Sequence, residues 1–172
     1  IDQVYDYMMW KDDKKFISGF ELGISNVLYW FEQKMQPNGL IGKMDWWGAL
    51  AWPRHYKNGE PPTIYEGNNT LYTLHYAYTL RHAAEIFEFI GKPEQVAEYR
   101  NRANQICVDV NRLCKNAEGF YTESPENKQV SQITNLMAIL AEAVTGDEAR
   151  QLMEKLLEPK DWFGQVDLFL HL

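Results

Sequence analysis

The sequence predicts an all-α protein built as an incomplete α/α toroid, with about six helices in hairpins. Apolar residues recur at spacings of three and four, and no segment alternates with a period of two. Helices that are apolar on nearly every face alternate with helices that are apolar on one face, which indicates a buried inner layer and an outer layer. Long loops and tight turns also alternate, whereas the competing TPR or HEAT array has uniformly short connections.

The first two predicted helices precede a clear breaker. A short helix runs from Val4 to Trp10, and Asp12 and Asp13 then supply N-terminal carboxylates to a longer helix from about Asp12 to Met35. The run Pro37-Asn38-Gly39 predicts the end of that helix.

The next two helices form a predicted hairpin. Asn68, Asn69 or Thr70 can cap a helix to about Ile90, which is apolar all round and therefore buried on more than one side. Gly91-Lys92-Pro93 predicts a tight turn. The following helix, Pro93 to Lys115, has a narrower apolar stripe and is predicted to be peripheral.

A second loop, residues 117–129, leads into the last predicted helices. A mostly apolar helix runs from about Val130 to Val144, and an amphipathic helix after Gly146 ends at Glu158-Pro159. A final helix begins near Trp162 or Phe163 and is still running at Leu172. Since the chain begins without methionine and stops in an apolar run, we expect residues 1–172 to be a fragment of one (α/α)6 domain with both flanks missing.

Net charge, apolar stretches and cysteine spacing argue against nucleic-acid partners, membrane partners and a disulfide. A net charge of -7 without clustered Lys and Arg argues against nucleic acid as a partner. No apolar stretch approaches the roughly 20 residues of a membrane span, so no membrane partner is expected. Cys107 and Cys114 lie seven residues apart in one predicted helix, roughly 10 Å along its axis, which is too far for a disulfide.

The loop from Gly39 to Pro62, which we call the aromatic loop, is the strongest candidate for a binding site. In a toroid the long loops emerge at one end, where the inner helices begin, and would line a cleft there. Aromatic faces stack on the C-H faces of sugars, and carboxylates bind the hydroxyl groups. The alternative is a packed loop that covers the helix ends. The candidate substrate-binding residues of the loop are Asp45, Trp46, Trp47, Trp52, His55 and Tyr56.

A second carboxyl group is harder to assign. Glycoside hydrolysis normally uses two, placed across the scissile bond. Glu66 is the best second candidate, although a carboxylate is also favourable at a helix N-terminus for structural reasons. His75 and His82 are interpreted as core imidazoles. The other loop acids, none of which the sequence places in a comparably enclosed setting, are Glu60, Glu123, Glu126 and Asp161.

The sequence contains no motif for a metal or a cofactor. It has no His-Glu-x-x-His motif, paired cysteines or Asp-rich calcium loop, and no Gly-rich phosphate loop or Gly-x-Ser-x-Gly elbow. We therefore expect no cofactor and no metal.

Residues 4–53 and 68–106 resemble the catalytic domain of α-L-rhamnosidases of glycoside hydrolase family 78. The resemblance rests on "MDWW" after an "NGL" corner, on the "GKPE" turn, and on a following Glu-Tyr-x-x-x-Ala helix. It extends over essentially the whole chain. Such family members are inverting glycosidases of the six-hairpin type with an (α/α)6 barrel, and they act on terminal α-linked L-rhamnose. The resemblance implies that this chain comes from a bacterial hydrolase of carbohydrate metabolism.

The resemblance implies a division of roles. Asp45 matches the family's substrate-pocket aspartate, and Trp46 and Trp47 match its flanking aromatics. The general acid would lie in an Arg- and acid-rich stretch upstream, which this chain lacks, and the general base downstream, so the fragment alone is expected to be inactive. The expected partner is a rhamnose-containing glycoside. An incomplete toroid would also self-associate through uncovered surfaces, and the parent's location stays open between periplasmic, secreted and cytoplasmic.

Two other classes stay open. Another (α/α)6 glycosidase or a polysaccharide lyase would share the fold, and a lyase would need basic residues for a uronate, of which this loop offers Arg54, Lys43 and Lys57. A helical interaction module without chemistry would be favoured if the loop tryptophans were buried.

Overall fold

Helices account for the regular structure of the described part of the chain. The computed structural model describes residues 1–46, 48–50, 52–158 and 160–166. Within these ranges strand pairing is limited to isolated bridges, so the all-α prediction is confirmed. The helices are α1 Asp2–Trp10, α2 Lys14–Ser18, α3 Glu21–Glu32, α4 Thr70–Ile90, α5 Pro93–Cys114, α6 Gln132–Leu140 and α7 Gly146–Leu157.

The predicted helix from Asp12 to Met35 is two helices, α2 and α3. Asp13 caps α2 by accepting from the Phe16 N–H at 3.0 Å. The last turn then tightens, because Gly19 N–H donates to the Phe16 carbonyl and Phe20 N–H to the Ile17 carbonyl. Such i to i+3 bonds end an α-helix and allow a new one to start in a different direction.

Helix α6 is shorter than the predicted span from Val130 to Val144. Ser131 caps it by accepting from the Thr134 N–H at 3.1 Å. Its end is set by Glu142, which takes a left-handed conformation with φ of 59°, while Ala143 N–H donates to the Ala138 carbonyl at 2.9 Å. That bonding pattern closes a helix.

The predicted final helix is wrong as far as the structure describes it. Residues 160–166 are not helical, and Gly164 takes a φ of 55°. The rest of that predicted helix, residues 167–172, lies outside the described residues.

Helix α4 is the centre of the fold. Asn69 caps it by accepting from the Tyr72 N–H at 2.9 Å, and it is buried on nearly all sides. It packs against α1, α2, α3, α5 and α6, while α7 packs on α6. The apolar helices α4 and α6 therefore lie together, each covered by an amphipathic partner, as the predicted toroid layers require.

The remaining sequence expectations for the scaffold can be compared directly. Cys107 and Cys114 are both buried and unpaired, which confirms their interpretation as core residues. None of the described helices is long and apolar enough to cross a membrane.

The two long loops meet where the inner helices begin. Thr70 N–H, at the start of α4, donates to the Glu123 carbonyl of the second loop at 3.0 Å. Ile41 N–H, early in the aromatic loop, donates to Thr73 Oγ1 at 2.9 Å. The fold thus brings the aromatic loop and the second loop to the same end of the molecule.

Candidate functional site

The aromatic loop is fastened to α4 through Gly48. The Tyr72 hydroxyl donates to the Gly48 carbonyl at 2.6 Å, and burial, with the nearby Glu60 carboxylate, raises the pKa of Tyr72 to about 12. A Cβ at Gly48 would lie 2.5 Å from both the Tyr72 hydroxyl oxygen and Ile64 Cδ1. Only glycine permits this close approach, so the loop is held firmly at this point.

Two tryptophans of the loop face solvent. Trp46 is 66% exposed and Trp52 is 63% exposed, whereas Trp47 lies outside the described residues. Leu50 N–H, between them, donates to the Gly59 carbonyl at 3.2 Å and closes the loop on itself. Burial of these rings would have favoured an interaction module, and the two that are described are exposed instead.

Asp45 is paired with a lysine rather than enclosed by aromatic rings. Its carboxylate forms an ion pair with the Lys34 ammonium, and Lys34 lies 5.3 Å from the centre of the Trp30 ring. The hydrogen bond and the charge of Lys34 hold the pKa of Asp45 below its usual value. With 55% of its side chain exposed, Asp45 is an ionised acceptor that a hydroxyl group can reach.

Tyr56 is buried, unlike the other described aromatic residues of the candidate site. Its hydroxyl lies 3.3 Å from Glu123 Oε2, to which it donates, and 3.4 Å from Ser131 Oγ. Burial and the Glu123 carboxyl raise the pKa of Tyr56 well above its ordinary value. The structure thus places Tyr56 as an anchor of the loop, where its ring does not face solvent.

Glu123 corrects the expectation that no other loop acid is enclosed. Its exposure is 0%, Thr134 Oγ1 donates to its Oε1 at 2.9 Å, and burial raises its pKa. No local signal separates it in sequence from the exposed Glu126 three residues later. Its partners come from distant segments that only the fold brings together.

His55 joins the loop to the segment 160–166. Its ring stacks on Phe163 with centroids 5.6 Å apart and planes at 7°, and its Nε2 lies 3.9 Å from Asp161 Oδ1. Phe163 therefore lies against one face of this imidazole, and 36% of the side chain remains exposed.

Glu66 lines a depression to which the described aromatic candidates do not contribute. It is exposed and lines an open depression with Thr63, Glu126 and Lys128. Among the described residues, none of the candidate aromatic residues lines that depression. A role for Glu66 in the same site as Trp46 and Trp52 stays a prediction.

The two histidines of α4 have structural partners. His82 Nδ1 lies 2.9 Å from Asp2 Oδ1, and His75 Nε2 lies 3.6 Å from Asp2 Oδ2. The Tyr5 ring stacks on His82 at 3.8 Å. These contacts dock α1 onto α4. In the described part of the chain, no three His, Cys, Asp or Glu side chains are arranged to hold a metal ion.

Solved structures of rhamnosidases share this fold. A family 78 rhamnosidase of Bacillus sp. GL1 matches with a TM-score of 0.78 and 18% identity, over 94% of this chain and 17% of that one. A rhamnosidase from Klebsiella oxytoca with rhamnose bound matches with a TM-score of 0.72 and 20% identity, over 96% of this chain and 30% of that one. Neither a protein-family model nor a curated protein matches the sequence.

The comparison establishes the fold of the chain but does not assign a chemical role to any of its residues. The chain spans less than a third of the length of either rhamnosidase. At about one identical residue in five, the likeness establishes the arrangement of helices and does not assign side-chain roles. The chain therefore has the all-α fold of part of a family 78 rhamnosidase, as the sequence resemblance predicted.

Proposed function

We propose that this chain forms a sugar-binding part of a larger parent enzyme, a glycosidase that removes terminal α-L-rhamnose with inversion. One observation carries the proposal: Trp46, which follows the ionised Asp45 in sequence, and Trp52 are both exposed on a loop that is fastened to α4. Indole faces stack on the apolar faces of a pyranose, and a carboxylate accepts hydrogen bonds from its hydroxyl groups. The rhamnose bound to a neighbour of the same fold supports this sugar as the first to test.

Catalysis belongs, in this proposal, to other parts of the parent. An inverting enzyme places an acid and a base roughly 6.5–9.5 Å apart with room for water between them. Glu123 is completely enclosed and cannot reach a glycosidic oxygen, and Glu66 lines a depression without the described aromatic candidates. We therefore expect the chain by itself to bind sugar and not to hydrolyse it.

A binding titration and an activity assay test the proposal together. L-rhamnose is expected to change the tryptophan fluorescence of the chain. Trp52→Ala is expected to weaken binding about tenfold, because stacking of one aromatic ring on the sugar contributes roughly 1.5 kcal/mol. Trp10→Ala is the matched control, since Trp10 is 86% exposed on α1, outside the loop.

Two outcomes would contradict the proposal. Substantial turnover of an aryl α-L-rhamnoside by this chain would show that both catalytic carboxyl groups are present in it. Preference for uronate oligomers over L-rhamnose would instead favour a polysaccharide lyase, with Arg54, Lys43 and Lys57 as the basic residues near the rings.

A further inference from the structure

Three distant segments of the chain converge on one buried carboxyl group. The aromatic loop contributes Tyr56, whose hydroxyl donates to Glu123 Oε2 at 3.3 Å. Helix α6 contributes Thr134, which donates to Glu123 Oε1 at 2.9 Å, and its cap Ser131, whose Oγ lies 3.4 Å from the Tyr56 hydroxyl. Segment 160–166 contributes Gly164. We call these five residues the Tyr56–Glu123 junction.

The junction is closely packed. Glu123, Ser131 and Thr134 are fully buried, and Tyr56 is nearly so. A Cβ at Gly164 would lie 2.7 Å from Ser131 Cβ and 2.8 Å from Tyr56 Cε1, so this position has no room for a larger residue. The Tyr56 ring also belongs to a small apolar cluster with Leu71, Ile133 and Val166.

Among the described residues, the groups that face the Glu123 side chain are hydroxyls. They are those of Tyr56, Ser131 and Thr134, of which Tyr56 alone is titratable. Without the carboxyl group, the Tyr56 and Thr134 hydroxyls would lose their shared acceptor inside an apolar setting, which is unfavourable for buried polar groups. The carboxyl group is therefore what allows this tyrosine to be held inside.

The position of Tyr56 determines that of the ring-bearing turn before it. Tyr56 N–H donates to the Pro53 carbonyl at 3.0 Å, which closes a turn directly after Trp52. His55, which lies within that turn, stacks on Phe163. A displaced Tyr56 would thus move both Trp52 and His55.

We infer that Glu123 is a positioning residue, which holds the aromatic loop through the Tyr56 hydroxyl and so places Trp52 and His55 for sugar binding. The inference rests on the proposed function for its sugar-binding consequence and on contacts within the chain for the anchoring itself. Glu123 does not touch the sugar in this account; it acts through Tyr56.

Limited trypsin digestion of the folded chain tests the anchoring without any sugar. Arg54 and Lys57 are exposed and flank Tyr56, so we measure cleavage there relative to cleavage at Arg150, which is exposed on α7.

Glu123→Ala and Tyr56→Phe are each expected to raise this ratio about fivefold, the effect of losing one net hydrogen bond. Glu123→Gln should restore most of the protection, because an amide can bond both hydroxyls. Glu118→Gln, an exposed acid in the same loop, is the matched control.

The outcomes separate the anchoring from the proposed function. An unchanged ratio in both Glu123→Ala and Tyr56→Phe, or equal increases at Arg54 and Arg150, would overturn the positioning role. If Glu123→Ala does not fold, Tyr56→Phe decides, since it keeps the ring and removes only the hydroxyl. Weaker L-rhamnose binding that follows the ratio and recovers in Glu123→Gln supports the whole inference. Raised ratios in the variants, when the unsubstituted chain itself binds no L-rhamnose, would support the anchoring and contradict the proposed function instead.

Discussion

At the scale of single residues, the burial of Glu123 has a consequence that depends on pH. Burial raises the pKa of this carboxyl group above its ordinary value of 4.5. A carboxyl group whose pKa is higher in the folded state stabilises the fold while both states are protonated. That contribution is lost as the pH rises from the unfolded pKa through the folded one.

Replacing Glu123 by glutamine should remove this dependence. Relative to Glu123→Gln, the free energy of unfolding of the unsubstituted chain is expected to fall as the pH rises above about 4.5, by at most roughly 1.4 kcal/mol per pH unit. Urea unfolding of both proteins between pH 4 and pH 8 measures it, with Glu118→Gln as control. Parallel stability curves for the two proteins would show that Glu123 is not desolvated.

Sequence reasoning succeeded at residues whose role is local and failed where it is not. The cap of α4 was expected among three adjacent residues, and Asn69 fills it because an asparagine side chain accepts from the N–H three residues later. The enclosure of Glu123 depends on Tyr56, which is 67 residues earlier in the chain. No periodicity or local propensity carries information about such a contact.

At the scale of elements, the turn between α4 and α5 depends on a left-handed glycine. Gly91 has a φ of 84°, which a residue with a Cβ adopts only with strain. Gly91→Ala is expected to destabilise the chain by about 1 kcal/mol. Gly23→Ala is the matched control: Gly23 is within α3 and a Cβ there meets nothing within 4 Å, so it should stabilise by roughly 0.5–1 kcal/mol.

Thermal unfolding of the two variants gives the comparison. A lower midpoint for Gly91→Ala and a higher one for Gly23→Ala would agree with the expectation. Equal shifts in the same direction would contradict it, since the two substitutions add the same methyl group and differ only in backbone conformation.

The elements also show why helix boundaries were predicted less well than helices. The apolar stripes across α2 and α3 continue through Gly19 and Phe20, so spacing alone reads them as one helix. Helix α6 is followed by a glutamate in the left-handed conformation, Glu142. Glutamate as a residue type does not indicate this conformation in a sequence. Turns centred on glycine, such as Gly91, were located correctly because glycine favours them.

At the scale of the whole molecule, the layered arrangement follows from two kinds of helix. The apolar α4 lies in the middle with α6 beside it, and the amphipathic α5 and α7 cover them. That order was predictable because burial on one side or on all sides is recorded in the apolar periodicity. Which loop residues meet at the end of these layers was not, since loops carry no period.

Self-association of the chain stays a prediction from the sequence, and the described apolar surface shows where to test it. An apolar groove of about 390 Å³ runs between α4 and α6 and is lined by Leu71, Leu136, Met137 and Leu140 among others. Sedimentation velocity should show association that weakens on dilution. Leu140→Glu should shift the chain toward monomer, whereas Val108→Glu, at an exposed position on α5, should not. A wild-type monomer at every concentration would contradict this.

The most direct test of the account is to locate L-rhamnose on the chain by NMR titration of its backbone amides and indole N–H groups. The account predicts saturable shifts at Asp45, Trp46 and Trp52, with none at the depression beside Glu66, and weaker binding in Asp45→Asn. Shifts that are confined to the Glu66 depression, or an absence of shifts in a folded chain at saturating sugar, would contradict the claim that the aromatic loop is a sugar-binding surface.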